Sequence, residues 1–193
     1  MYKIMTPGPT QVAENVRLAR SRECTNPDLD ESFVEFYKET CEEISRLLHT
    51  DNETLILGGE GILGLEAACA SMTEPGDHVL VLDNGIYGKG FADFVSMYGG
   101  IPELYSRDYR ETLDVQKLEA FLKEHHDYKY ATVVHGDTPS GMLNDVSAIC
   151  PLLKKYGIMT VVDSVSASFG EPMRISDWQI DIMCGGSQKV VSA

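Results

Sequence analysis

From Thr54 onward, short apolar runs rich in β-branched residues alternate with longer segments of helical spacing. The runs are Thr54–Leu57, His78–Leu82, Glu103–Tyr105, Tyr130–Val134, Ile158–Val162 and Ile180–Met183. Between them, Gly61–Met72, Tyr87–Tyr98, Asp114–Glu124 and Val146–Tyr156 read as helices. Asp114 stands where an N-cap belongs, and Gly99-Gly100 and Gly157 stand where helices stop. Such alternation predicts an α/β layered domain with a mostly parallel sheet. Two helices precede it, one from about Gln11 and one over Ser32–His49, the latter with Phe33, Tyr37, Cys41, Ile44 and Leu48 on one face. Pro7-Gly8-Pro9 dictates an extended lead-in. Ligands of such sheets sit at the carboxyl ends of the strands. Those ends are Gly58–Gly61, Asp83–Tyr87, His135–Gly141, Asp163–Ser166 and Gly185–Lys189.

Composition excludes several classes of function. With 193 residues, 43% of them hydrophobic, the chain can bury a substantial core. Sixteen Lys and Arg against 30 Asp and Glu leave a net charge of −14, which repels a polyanion, so no nucleic-acid partner is expected. The apolar runs are too short to span a bilayer, and the first ten residues lack the apolar centre of a signal peptide. No membrane partner and a cytoplasmic location are the expectation. The five cysteines, Cys24, Cys41, Cys69, Cys150 and Cys184, form no C-x-x-C pair and read as reduced core thiols. His125-His126-Asp127 reads as a solvated helix end, so no metal is expected. Ile175, Trp178 and Ile180 read as core.

Two constellations could carry chemistry. Gly58-Gly59-Glu60-Gly61-Ile62-Leu63-Gly64 follows a strand and opens a helix, and contains G-x-G-x-x-G. Asp83 lies nineteen residues beyond Gly64, the spacing of a dinucleotide fingerprint, so a nicotinamide dehydrogenase is one reading. Glu60 inside the loop would oppose a pyrophosphate, whereas a single phosphate on the helix N-terminus needs the same glycines and less room. In the second constellation, Asp163 follows an apolar strand. Lys189, 26 residues on, follows Gly185-Gly186-Ser187-Gln188 at the same sheet edge. A desolvated lysine exposes a nucleophilic amine. A neighbouring aspartate can hold a proton on a pyridine nitrogen, as pyridoxal phosphate chemistry requires.

Taken in order, five segments resemble those of class V aminotransferases, pyridoxal-phosphate enzymes of fold type I. They are Gly59–Ala68, Asn84–Phe91, His135–Gly141, Val162–Ser166 and Gly186–Lys189. Within the family they are most similar to the pyridoxamine–pyruvate, alanine–glyoxylate and serine–glyoxylate enzymes. The resemblance implies a three-layer α/β/α large domain and pyridoxal 5'-phosphate as cofactor. It implies Lys189 as the Schiff-base lysine and proton carrier, Asp163 as the partner of the pyridine nitrogen, and Tyr87 and Val165 on the two ring faces. Thr138 would lie at the ring's polar edge. Backbone N–H groups of Glu60, Gly61 and Ile62 would hold the phosphate, with Gln188 nearby. Gly8 would belong to a strap across the substrate entrance. Many family members carry Ser or Thr where Glu60 stands, so a direct side-chain contact to phosphate is not expected here. Cys184, before the lysine turn, reads as a buried inert thiol and not a desulfurase nucleophile.

The implied function is transfer of an amino group from a small amine or amino acid to a keto acid such as pyruvate or glyoxylate. Pyridoxamine itself as donor, a nicotinamide dehydrogenase and an inactive fragment are the alternatives. The implied organisation is a strap and helix over residues 1–20, an incomplete large domain over 21–193, an absent C-terminal small domain, and a homodimer in the intact protein. The family sheet has seven strands, one of them antiparallel and placed between Thr54–Leu57 and Ile180–Met183. These 193 residues contain no sequence for that strand, so those two segments should not be bridged.

Overall fold

The computed structural model describes residues 3–23 and 26–193. Cys24, read above as one of the reduced thiols, lies outside the described residues. Six helices are described: α1 (Glu14–Arg20), α2 (Glu31–Leu47), α3 (Gly61–Met72), α4 (Ile86–Met97), α5 (Val115–Leu122) and α6 (Val146–Lys155). The strands are β1 (His78–Asp83), β2 (Ile101–Ser106), β3 (Tyr130–Val134), β4 (Gly136–Asp137), β5 (Met142–Leu143), β6 (Met159–Asp163) and β7 (Ile182–Cys184). Five of them form one parallel sheet in the order β2-β1-β3-β6-β7, while β4 and β5 make a short antiparallel hairpin.

The strand period of two divides the core. Val79, Val81, Tyr130, Val134 and Val161 pack with Leu65, Cys69, Phe91 and Val95 of α3 and α4. Leu80, Leu82, Ala131, Val133 and Val162 pack on the other face with Leu118, Leu122, Ile149 and Leu153 of α5 and α6. The expected three-layer α/β/α architecture is therefore the one observed. Asp114 caps α5 by accepting from Gln116 N (2.9 Å) and Lys117 N (3.0 Å), as its position predicted.

Three expectations need correction. Thr54–Leu57 is not a strand. A strand exists only through a ladder, and no described segment pairs with this one. Instead the Tyr37 hydroxyl accepts from Ile56 N (2.8 Å) and donates to Ile56 O (3.1 Å), while Leu55 stays 66% exposed. The last sheet strand begins at Ile182 and not Ile180. There the Asp181 carboxylate accepts from Thr160 N (2.9 Å), Asp181 N donates to Thr160 Oγ1 (3.1 Å), and Ile180 N turns back to Ile175 O (3.1 Å). Helix α1 starts at Glu14 and not Gln11, because the preceding residues are held extended by Thr10. Its N–H donates to Gln188 O (3.0 Å) and its hydroxyl to Lys189 O (2.6 Å).

Candidate active site

The carboxyl edge of the sheet carries a cavity of ≈ 550 Å³. Its walls include Gly8, Glu60, Gly61, Ile62, Tyr87, Asp163, Val165, Gln188 and Lys189. Of the residues the family resemblance nominated, only Thr138 is not in this lining. It stands behind Ser166, which is in the lining, with Thr138 Oγ1 and Ser166 Oγ 2.5 Å apart.

One wall is the start of α3. Glu60 is its N-cap residue but makes no side-chain cap bond. Helix starts leave their first N–H groups without intrahelical acceptors, and here the residues that carry them face the cavity. Gly61 is required at this point, since a Cβ on it would come within 2.9 Å of Val165 Cγ2.

The floor is Asp163, at the end of β6 and only 6% exposed. Its Oδ1 accepts from Val165 N (2.9 Å), and no ion pair to it is found among the described residues. Burial pushes this carboxyl up to about 6, with the nearby Asp137 carboxylate adding to the rise and the Val165 bond and Lys189 opposing it. A buried carboxylate in this state gains from a cation or a charged N–H placed against it.

Lys189 comes from the turn after β7, and the strap holds it in place. A Cβ on Gly8 would lie 2.5 Å from Lys189 Nζ and 2.7 Å from its Cδ and Cε, so a larger residue in the strap would push the flexible end of the lysine aside. The Thr10 bonds to the carbonyls of Gln188 and Lys189 anchor the other end of this contact.

The arrangement fits pyridoxal phosphate on observations internal to the chain. A flat aromatic body has Tyr87 and Val165 on the cavity walls, a buried carboxylate below and a primary amine at the edge. An uncapped helix start is available for a phosphate. The dinucleotide reading does not fit. Asp83 ends β1, whose neighbours are β2 and β3, and is 4% exposed with Ser106 Oγ donating to its Oδ2 (2.8 Å). It is absent from the cavity lining, so it cannot meet a ribose there. Cys184 is buried, donates to Gly64 O (3.4 Å), and burial pushes its thiol up to about 12. At the end of α5, His125 stacks on Phe121, and His126 Nδ1 contacts Leu122 O (3.0 Å). Trp178 packs with Ile175 and Ile180 against the core.

Sequence reasoning missed Thr10, Ser166, Asn84 and Asn144. Thr10 and Ser166 sit beside motif residues, and no spacing rule marks a hydroxyl that closes a loop. Asn84 precedes glycine at a strand end, a turn signal that gives no hint of its partner 60 residues away.

A parallel sheet in this order, with lysine and aspartate converging at its carboxyl edge, defines the large domain of fold-type-I transferases. A family model, aminotransferase class-V, matches residues 7–193, and the chain belongs to that family. It is 36% identical over 168 residues to pyridoxamine–pyruvate transaminase of Mesorhizobium japonicum, covering 86% of this chain and 42% of the relative. The crystal structure of pyridoxamine–pyruvate aminotransferase from Mesorhizobium loti superposes with a TM-score of 0.94 at 33% identity, over 100% of this chain and 49% of that one. That of ureidoglycine–glyoxylate aminotransferase from Bacillus subtilis gives 0.94 at 28% identity, again over 100% and 49%. The chain thus spans about half the length of the relatives it matches.

Proposed function

We propose that this protein is a pyridoxal-phosphate transaminase that moves an amino group from a small amine or amino acid to a keto acid such as pyruvate or glyoxylate. The observation that carries the proposal is the meeting of Lys189, buried Asp163 and the uncapped start of α3 in one cavity. Pyridoxal phosphate, when bound, supplies an aldehyde that captures amines and a protonated ring that draws electrons from the bond between Cα and its hydrogen. Asp163 keeps the proton on the ring nitrogen, because its desolvated carboxylate favours any cation beside it. Lys189 would hold the cofactor through its primary amine, and that amine would be the base that moves the proton at Cα. Tyr87 and Val165 hold the ring between them, and Thr138 acts at its polar edge through Ser166. The N–H groups of Glu60, Gly61 and Ile62 take the phosphate, with Gln188 beside them. Gly8 shields the amine from water at the entrance.

The same reading places the protein in the cytoplasm as a homodimer, with a smaller second domain completing the substrate side. No described helix is long and apolar enough to cross a membrane. Glu60 favours a second version of the reaction, in which free pyridoxamine is the amino donor. Such a donor carries no phosphate for a carboxylate to repel, and the resemblance to a pyridoxamine–pyruvate enzyme points the same way.

The test is borohydride reduction of the intact protein with pyridoxal phosphate, and separately with pyridoxal, followed by peptide mapping. Label on Lys189 is expected. Label confined to other lysines refutes the assignment.

A further inference from the structure

The cavity has two walls that come from distant parts of the chain. The Asp83–Tyr87 segment supplies Tyr87, and the hairpin after β3 supplies Gly136 and carries Thr138. These walls are joined by a pair of buried amides outside the cavity. Asn84 and Asn144 are each 1% exposed. Asn84 Nδ2 donates to Asn144 Oδ1 (2.9 Å), and Asn144 Nδ2 donates back to Asn84 Oδ1 (3.1 Å).

The remaining donors of both amides, and the second acceptor site of Asn144, are also used. Asn144 Nδ2 donates to Val134 O (2.8 Å), and Asn84 Nδ2 to Glu111 O (3.2 Å). Asn144 Oδ1 accepts a second bond from Leu113 N (3.0 Å). The backbone adds Asn144 N to His135 O (2.8 Å), which closes the base of the hairpin. All four amide hydrogens therefore have acceptors. Flipping either amide would set NH₂ against NH₂, so the network fixes both orientations. Aspartate would lose the donors, and glutamine would not fit the same spacing.

The coupling continues on both sides. A Cβ on Gly85 would lie 2.6 Å from the Asp137 carboxyl carbon, so the Tyr87 segment and the hairpin are in direct contact. On the far side of the hairpin, the contact between Thr138 and Ser166 ties it to the turn that carries Asp163 and Val165. From Tyr87 to Val165, the walls form one chain of contacts whose first link is the amide pair.

We infer that Asn84 and Asn144 are positioning residues that fix the gap between Tyr87 and Val165, and so the tilt of the ring held there. They touch neither ring nor substrate, and the inference rests on the function proposed above. A buried network of this kind has one low-energy arrangement, and losing one member leaves its partner's polar atoms unmatched.

The experiment compares wild type with Asn84→Ser, Asn144→Asp and a control in α6, Ile149→Val, which removes core volume away from the cavity. Three quantities are measured on the intact protein: melting temperature, affinity for pyridoxal phosphate, and visible circular dichroism per bound cofactor. Amide hydrogen exchange of residues 84–88 and 136–143 is read without cofactor. The expected result for the Asn variants is cofactor affinity lower by about tenfold, from one lost buried bond. Weaker dichroism and faster exchange in both segments accompany it. The control loses melting temperature alone. Unchanged affinity and dichroism in an Asn variant would overturn the inference, as would equal losses in the control. Asn84→Ser keeps a hydroxyl donor and gives the readout if Asn144→Asp does not fold. If wild type itself takes up no cofactor, the proposed function fails. Hydrogen exchange then decides alone: faster exchange across the partner segment supports the clamp, and unchanged exchange overturns it.

Discussion

Asp163→Asn should stabilise the cofactor-free protein at neutral pH while abolishing most of its activity. Asparagine has the same shape and keeps an oxygen for Val165 N. What it removes is a charge that the cofactor-free site does not neutralise. Burial raises the carboxyl from 3.8 to about 6, and at 1.36 kcal/mol per pH unit this is about 3 kcal/mol. The sign follows from linkage. A carboxyl that binds its proton more tightly when folded favours the folded state fully below its unfolded value near 3.8. That advantage is lost as pH rises through about 6, so that relative to the acid end the ionised group has cost the folded state the whole of it. Urea unfolding of wild type and Asp163→Asn, without cofactor, is therefore compared at pH 4 and pH 7.5. The variant should match wild type at the acid end and exceed it by about 2–3 kcal/mol at the other. An increment that does not change with pH would refute the reasoning. In the same variant turnover should fall steeply, because neutral asparagine does not hold the ring proton.

Gly85→Ala should destabilise the protein by about 1–3 kcal/mol in denaturant titration, because its Cβ would meet the buried Asp137 carboxylate at 2.6–2.8 Å; a neutral result would mean the loop gives way freely. Gly8→Ala should leave the melting temperature almost unchanged, since the Cβ meets only the flexible end of Lys189, yet it should slow borohydride trapping at that lysine. Tyr37→Phe should speed amide exchange at Ile56 and cost about 1 kcal/mol, the net value of the hydroxyl's bonds to a backbone that has no ladder partner.

How far the sequence discloses this structure depends on whether a signal is local. Helix α3 occupies Gly61–Met72 and strand β3 Tyr130–Val134, the ranges the pattern predicts, because the glycine turn and the all-apolar run mark their own ends. Asp163 and Lys189 are legible for a topological reason: Asp163 ends β6, Lys189 lies in the turn just after β7, and the carboxyl ends of parallel strands share an edge. Thr54–Leu57 failed for the complementary reason, since β-propensity describes a surface that wants a neighbour and does not supply one. The hairpin β4–β5 was invisible because two-residue arms carry no alternation. The amide pair was hidden because asparagine at a strand end is common, and only the folded chain brings Asn84 to Asn144.

The remaining prediction separates the two versions of the reaction. Glu60 is exposed at the mouth of the α3 start, the point to which a cofactor phosphate would be drawn. The helix start attracts an anion by about 0.3–1 kcal/mol. A carboxylate within one helix turn of a phosphate of charge near −2 would oppose it by about 1 kcal/mol even at the dielectric of water, and by more where screening is weaker. Repulsion therefore wins or at least cancels the attraction, and the native loop should discriminate little between pyridoxal phosphate and pyridoxal. Glu60→Gln removes the repulsion and keeps the size. Its affinity for pyridoxal phosphate should rise by about tenfold or more, with affinity for pyridoxal unchanged. Because the carboxylate is exposed, the gain should shrink in high salt. If instead Glu60→Gln leaves the preference unaltered at low salt, the carboxylate does not face the phosphate position. The phosphate-free donor would then lose the support of Glu60 and rest on the resemblance to pyridoxamine–pyruvate transaminase alone.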